Sequence, residues 1–196
     1  MKLDQIFGLA TETLWGLACM ANDVDAVEEI FRLKGRNYQQ PLTLFVDEVS
    51  KAQKIQQIPQ ALLPWLKHHW PGPLTLVSKA LTKDFTHCHP LTDAVGIRIP
   101  AHPEALRVLH NTPCPLAVTS FNRSGQPPVE SKTELLKLFP GKITQAVGEI
   151  PHQSRPSCVL SLQDHVLKVL RGTPEQARAL QENLPLPYQI IEKEVR

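Results

Sequence analysis

The chain has 196 residues, 42% of them apolar and 20% charged, with a net charge of +2; a chain of that size buries roughly 70% of the surface it exposes when unfolded. Balanced charge excludes histone-like and polybasic binding, so affinity for nucleic acid needs a clustered patch, and the aliphatic content excludes intrinsic disorder. No apolar run reaches the roughly 18 to 20 residues of a membrane span, and Asp4 interrupts the start where a signal peptide is apolar, so no membrane association and a cytoplasmic location are expected.

In chain order, the first feature is Thr11-Glu12-Thr13-Leu14-Trp15-Gly16-Leu17, a hydroxyl-rich turn entering an apolar segment. Its two threonines around an acid fit either a turn or cap, or a subsite that orients a small polar substrate. Asn22 with Asp25 three positions on resembles a capping box, and Val24, Val27, Ile30 and Phe31 then recur at helical spacing. This predicts a helix over about 23–34, with Gly35 placed to end it. Lys34 and Arg36 follow on either side of that glycine. They either favour the helix dipole or converge on adjacent phosphate oxygens.

Prolines mark the starts of four predicted strands: Pro41 before 42–46, Pro73 before 74–77, Pro115 before 116–118 and Pro156 before 157–160. The runs 95–99 and 166–170 add two more. Further helices are predicted at about 59–69, 103–110, 131–138 and 174–183. Trp70-Pro71-Gly72-Pro73-Leu74-Thr75-Leu76 reads as a rigid turn into a strand, and Arg98 as either a solvent-facing side chain or an anchor for a carboxylate. Thr119-Ser120-Phe121-Asn122-Arg123-Ser124-Gly125 follows a strand directly, the position where α/β sheets bind ligands; its small polar groups suit phosphate and ribose, and equally a plain turn. Interleaved strands and helices, with no linker, repeat or low-complexity block, predict one α/β domain over 1–196 with a mixed sheet.

The cysteines Cys19, Cys88, Cys114 and Cys158 are far apart without a CxxC pair, so reduced structural thiols are expected. His87-Cys88-His89 has metal-ligand chemistry but no second half, and no metal site is assigned. Walker A, Rossmann, G-x-S-x-G and H-E-x-x-H signatures are absent from the sequence.

Together and in order, Thr-Glu-Thr-Leu-Trp-Gly-Leu, Lys-Gly-Arg with Pro-Leu, Trp-Pro-Gly-Pro-Leu-Thr-Leu, Gly-Ile-Arg-Ile-Pro, Thr-Ser-Phe-Asn-Arg-Ser-Gly and Arg-Pro-Ser-Cys-Val resemble the YrdC/Sua5 family of threonylcarbamoyl-AMP synthases, from about residue 6 to 172. The length resembles the short, single-domain YrdC-like form. The resemblance implies a twisted mixed β-sheet flanked by helices around a concave basin. It also implies a nucleotidyltransferase that makes L-threonylcarbamoyladenylate and pyrophosphate from L-threonine, bicarbonate or CO2, and ATP with Mg2+, for the t6A modification of tRNA.

By the same resemblance Lys34 and Arg36 act in catalysis, and Lys34, Arg36, Ser120, Asn122 and Arg171 bind ATP. Thr11, Thr13, Arg98, Thr119 and Ser157 then bind threonine, and the t6A transfer machinery takes the product. This sequence departs from the common pattern at Ala10, Trp15, Phe45, Phe121, Cys158 and Ser161, and in the direct Arg171-Gly172 junction; Phe45 and Phe121 are expected to narrow the basin. Two other readings share these residues. One is a divergent enzyme of the same fold with another acceptor. The other is a module that binds tRNA or double-stranded RNA through Lys34, Arg36, Arg98, Arg123, Arg155 and Arg171.

Overall fold

The computed structural model describes residues 3–151 and 155–191. In chain order the elements are β1 (Ile6–Leu9), β2 (Gly16–Met20), α1 (Val24–Lys34), β3 (Thr43–Phe45), α2 (Val49–Ile55), α3 (Leu63–His69), β4 (Leu74–Lys79), β5 (Ala94–Arg98), α4 (Pro103–His110), β6 (Leu116–Ser120), α5 (Lys132–Leu138), β7 (Ala146–Val147), β8 (Cys158–Gln163), β9 (Val166–Arg171), α6 (Pro174–Gln181) and β10 (Gln189–Ile191). Short 3-10 turns occupy Gln60–Leu62 and Thr86–Cys88.

The strands join in one sheet of order β10-β9-β8-β4-β5-β3-β6-β2-β1-β7. It is mixed: β3 pairs in parallel with β5 and β4 with β8, whereas β6 runs antiparallel to both β2 and β3. Side chains alternate across it. Leu17 and Cys19 of β2 enter one core with α1, α3 and α6, while Ala18 enters a second core with α4, Phe7 and Val118. Among the described residues no helix is long and apolar enough to cross a membrane.

Proline did mark the strand starts, because the ring has no N–H to lose at the end of a ladder. The predicted helix over 23–34 is α1, but its cap is Asp23 and not Asn22: the Asp23 carboxylate accepts from the Ala26 N–H at 3.0 Å. Gly35 ends it at φ +60°, a left-handed conformation that a side chain strains. The helix over 59–69 divides into a 3-10 turn and α3. Strands β1 and β2 escaped the sequence reading because they are covered on both faces and show no polar alternation. Helix α2 was also missed; it has seven residues, and Glu48 at its start makes no capping bond.

Candidate active site

An open basin of about 600 Å3, counting its mouth, is lined from β2, β6, β3, β5, β4 and the end of β9, with Ser157 just before β8, a size suited to a small organic ligand. The Thr11–Trp15 turn, Arg36, Arg98, Thr119, Ser120, Ser157 and Arg171 line it. Strand register explains the convergence. Phe45 of β3 sits opposite Arg98 of β5, and Thr43 opposite Val118 of β6.

At one end the Thr-Glu-Thr turn closes on itself. Thr11 Oγ1 donates to the Leu14 carbonyl at 2.7 Å and accepts from the backbone N–H groups of Thr13 and Leu14. That hydroxyl proton is therefore spent, so in the 2.8 Å contact between the two threonines Thr13 is the donor. Thr13 Oγ1 in turn accepts from Arg98 Nη2 at 3.0 Å.

Arg98 is almost wholly buried, at 4% exposure, which settles its orientation: it does not face solvent. Its Nη2 donates to Glu12 Oε1 at 2.7 Å and its Nε to the Gly72 carbonyl at 3.3 Å, and the guanidinium carbon stands 5.4 Å from the centre of the Phe45 ring. Burial pulls the Arg98 pKa down and Glu12 opposes the shift.

At the other end are two cations without a carboxylate partner among the described residues. Arg36 is held by the carbonyls of Gln40 and Pro41 at 2.8 and 3.1 Å, which explains why Pro41 follows it so closely. Arg171 donates to the Ser157 carbonyl at 3.2 Å and to Ser157 Oγ at 2.9 Å. The β8–β9 register shifts beside it, between Val159 and Leu160, a bulge that re-aims the end of β9. Burial, followed by the charge of Arg171, holds Arg36 below the usual arginine range; burial, followed by Arg98, does the same to Arg171. These guanidinium groups repel one another in a partly dry pocket, the electrostatic condition for holding an anion.

Lys34 and Asn122 stand behind the basin wall. The Lys34 ammonium donates to the carbonyls of Ser120 and Asn122 and to Asn122 Oδ1, and Ser124 N–H returns to the Lys34 carbonyl. Burial, and then the Arg36 charge, pull its pKa down to about 7, whereas its oxygen partners favour the protonated form. The pair thus sets the shape of the loop that presents Thr119 and Ser120.

Phe121 does not narrow the basin, contrary to expectation. It is fully buried against Phe139, with ring centres 5.7 Å apart, because it turns into the core at the end of β6. Phe45 does line the basin. Arg123 lies over the Phe139 ring and Arg155 is not among the lining residues, so the six cations do not form a continuous track. His87 and Cys88 both approach the Ala21 carbonyl and His89 contacts the Thr92 carbonyl; among the described residues no cluster of three His, Cys, Asp or Glu can hold a metal ion. Cys19, Cys88 and Cys158 are buried free thiols.

Sequence reasoning missed four participants. Glu12 was visible only as an acid between threonines. Thr43 and Thr75 line the basin from strands, Thr75 Oγ1 at 3.5 Å from Ser157 Oγ, and the alternation of their strands was the available signal. Trp15 also lines the basin, fully buried, and its indole N–H has no partner among the described residues.

Comparison with known proteins agrees with this architecture. A threonylcarbamoyl-AMP synthase of Mus musculus is 36% identical over 166 residues, covering 82% of this chain and 57% of that protein. One of Bacillus subtilis (strain 168) is 30% identical over 189 residues, covering 92% and 54%. The chain thus spans a little over half the length of these relatives. A solved structure, P. abyssi Sua5 complexed with L-threonine, superposes with a TM-score of 0.80 at 29% identity, covering 95% of this chain and 55% of that one. Residues 1–173 match the Sua5–YciO–YrdC family model, which carries the description "Telomere recombination". With the ordered motifs now gathered around one basin on the expected mixed sheet, the chain belongs to the Sua5–YciO–YrdC family.

Proposed function

We propose that the chain is a threonylcarbamoyl-AMP synthase, a nucleotidyltransferase that joins L-threonine, bicarbonate or CO2, and ATP into L-threonylcarbamoyladenylate with release of pyrophosphate. The observation that carries this reading is the division of the basin: two cations without carboxylate partners, Arg36 and Arg171, at one end, and the Arg98–Glu12–Thr13 cluster at the other. The first end suits phosphate. The second suits a small hydroxylated amino acid, and the shared names of the relatives support the pairing.

In this reading the neutral amine of threonine takes up CO2, and a carbamate oxygen attacks the α-phosphorus as pyrophosphate departs. No protein nucleophile takes part. The chain's own residues position and neutralise: Arg36 and Arg171 hold the phosphates, Ser157 and Thr119 fix the reacting groups between the two ends, and Lys34 with Asn122 keeps the Ser120 loop in place. Arg98 receives the threonine carboxylate. Glu12 is paired with Arg98; Mg2+ would be carried by the nucleotide and would supply charge neutralisation at its phosphates. The product serves t6A formation on tRNA in the cytoplasm, through a transfer machinery that takes the adenylate.

The test is pyrophosphate release from ATP, Mg2+ and bicarbonate, with L-threonine or L-serine. Release that requires both bicarbonate and threonine is the expected result. ATP binding without release favours the enzyme with another acceptor, and salt-sensitive RNA binding without release favours the RNA module.

A further inference from the structure

We propose that Glu12 is a specificity-determining positioning residue: by neutralising Arg98 it confines that guanidinium to carboxylates that bring their own ammonium group. The inference rests on the amino-acid end of the basin proposed above and deepens it.

The geometry divides the Arg98 guanidinium into used and available parts. Nη2 is shared by Glu12 Oε1 at 2.7 Å and Thr13 Oγ1 at 3.0 Å, and Nε is directed at the Gly72 carbonyl at 3.3 Å. Among the described residues Nη1 has no partner, and it is the group left for a ligand carboxylate. The threonine turn holds this arrangement, since Thr13 gives its proton to Thr11 and keeps only acceptor capacity for Arg98.

Charge then decides what binds. Arg98 and Glu12 together are neutral, and both carboxylate oxygens of Glu12 matter: Oε1 is paired, while Oε2 is buried without a hydrogen-bond partner. A simple carboxylate at Nη1 meets a pair with no net positive charge, and it brings a second negative charge beside Glu12 against the single cation of Arg98. A zwitterionic amino acid brings an ammonium that offsets Glu12. Like-charge repulsion in a buried setting is much stronger than in water, so the pair acts as a filter against deaminated acids rather than as a general anion trap.

The test compares L-threonine with 3-hydroxybutyrate, which lacks only the amine, by isothermal titration at pH 7 with wild-type protein, E12Q and E12D. Wild-type protein is expected to prefer threonine, and E12Q to lose about tenfold of that preference, chiefly by binding 3-hydroxybutyrate more tightly. E12D keeps the charge and is expected to keep the preference while both affinities weaken. Equal weakening of both acids by E12Q, or an unchanged preference, overturns the proposal. So does an E12Q protein that fails to fold while E12D folds, which assigns Glu12 to the fold alone. Wild-type protein that binds neither acid overturns the amino-acid reading itself, a result distinct from threonine binding that is indifferent to Glu12.

Discussion

The Lys34 ammonium reaches both carbonyl oxygens of Asn122, the backbone one at 2.8 Å and the side-chain Oδ1 at 2.5 Å, and so ties the end of α1 to the loop after β6. Asn122 is held further by Ser120 Oγ, which donates to the same Oδ1 at 2.9 Å, and by its own side-chain amide, which donates to the Gln126 carbonyl. Lys34 therefore sets the shape of the loop that presents Thr119 and Ser120 to the basin.

Lys34→Met removes the tie while keeping the length of the side chain. Buried carbonyls then lose a charged donor, at a cost of about 1–3 kcal/mol, which a thermal melt registers as a lower midpoint with an intact cooperative transition. Pyrophosphate release is expected to fall about 100-fold, the scale on which misplacing a positioning loop by about 1 Å slows a reaction. Near-normal turnover in the folded variant refutes the assignment.

The depressed pKa of Lys34 has a defined sign. In the folded protein the proton leaves near 7, whereas in the unfolded chain it stays until about 10.5. Between those values the unfolded chain holds more protons, so this residue makes stability rise with pH. Bound phosphate favours the ammonium, so ATP binding at pH 8 is expected to take up a proton and to weaken as pH rises through 7. Titration in buffers of different ionisation enthalpy measures the uptake, which Lys34→Met abolishes.

Phe45→Leu tests the ring under Arg98. The substitution keeps an apolar wall but removes the π face, worth about 0.5–2 kcal/mol to a buried cation. The Michaelis constant for threonine is expected to rise about twofold to thirtyfold by that energy, with the constant for ATP little changed. Steady-state kinetics with each substrate varied in turn separates the two.

Gly72→Ala tests the Trp-Pro-Gly-Pro turn. Gly72 N–H donates to the Ile99 carbonyl at 2.8 Å and its carbonyl accepts from Arg98 Nε, so the turn brackets Arg98. A Cβ there falls 2.4 Å from the His69 carbonyl oxygen, which is backbone and cannot swing aside. Destabilisation of about 2–4 kcal/mol is expected by denaturant titration, in the range of severe steric substitutions, together with loss of threonine binding.

The fold was legible where the sequence carries physical punctuation. Pro41, Pro73, Pro115 and Pro156 each precede an observed strand, and α1 ends at Gly35 because only that residue sits easily at φ +60°. Punctuation says nothing about pairing: no local pattern shows that β8 lies beside β4, and the buried β1 and β2 hide their two faces behind uniform apolarity. Within the site the ordered motifs identified the residue types that converge. Their division of labour was not legible, because whether Lys34 faces a ligand or a loop carbonyl, and whether Arg98 is free or paired with Glu12, depends on partners 85 or more positions away. Phe121 misled for the same reason: a residue next to a binding loop can point to either side of it.

The strand order has a consequence for synthesis on the ribosome. The basin takes its walls from the turn at Thr11, from β5 and β6, and finally from Arg171 at the end of β9, a strand that joins the sheet through β8 and β4. A nascent chain that has not yet released β9 lacks Arg171, one of the two basin cations without a carboxylate partner among the described residues, however well its earlier strands have paired. A ligand of the basin therefore favours only the finished molecule and offers little help to the growing one, which must first close a sheet of distant partners.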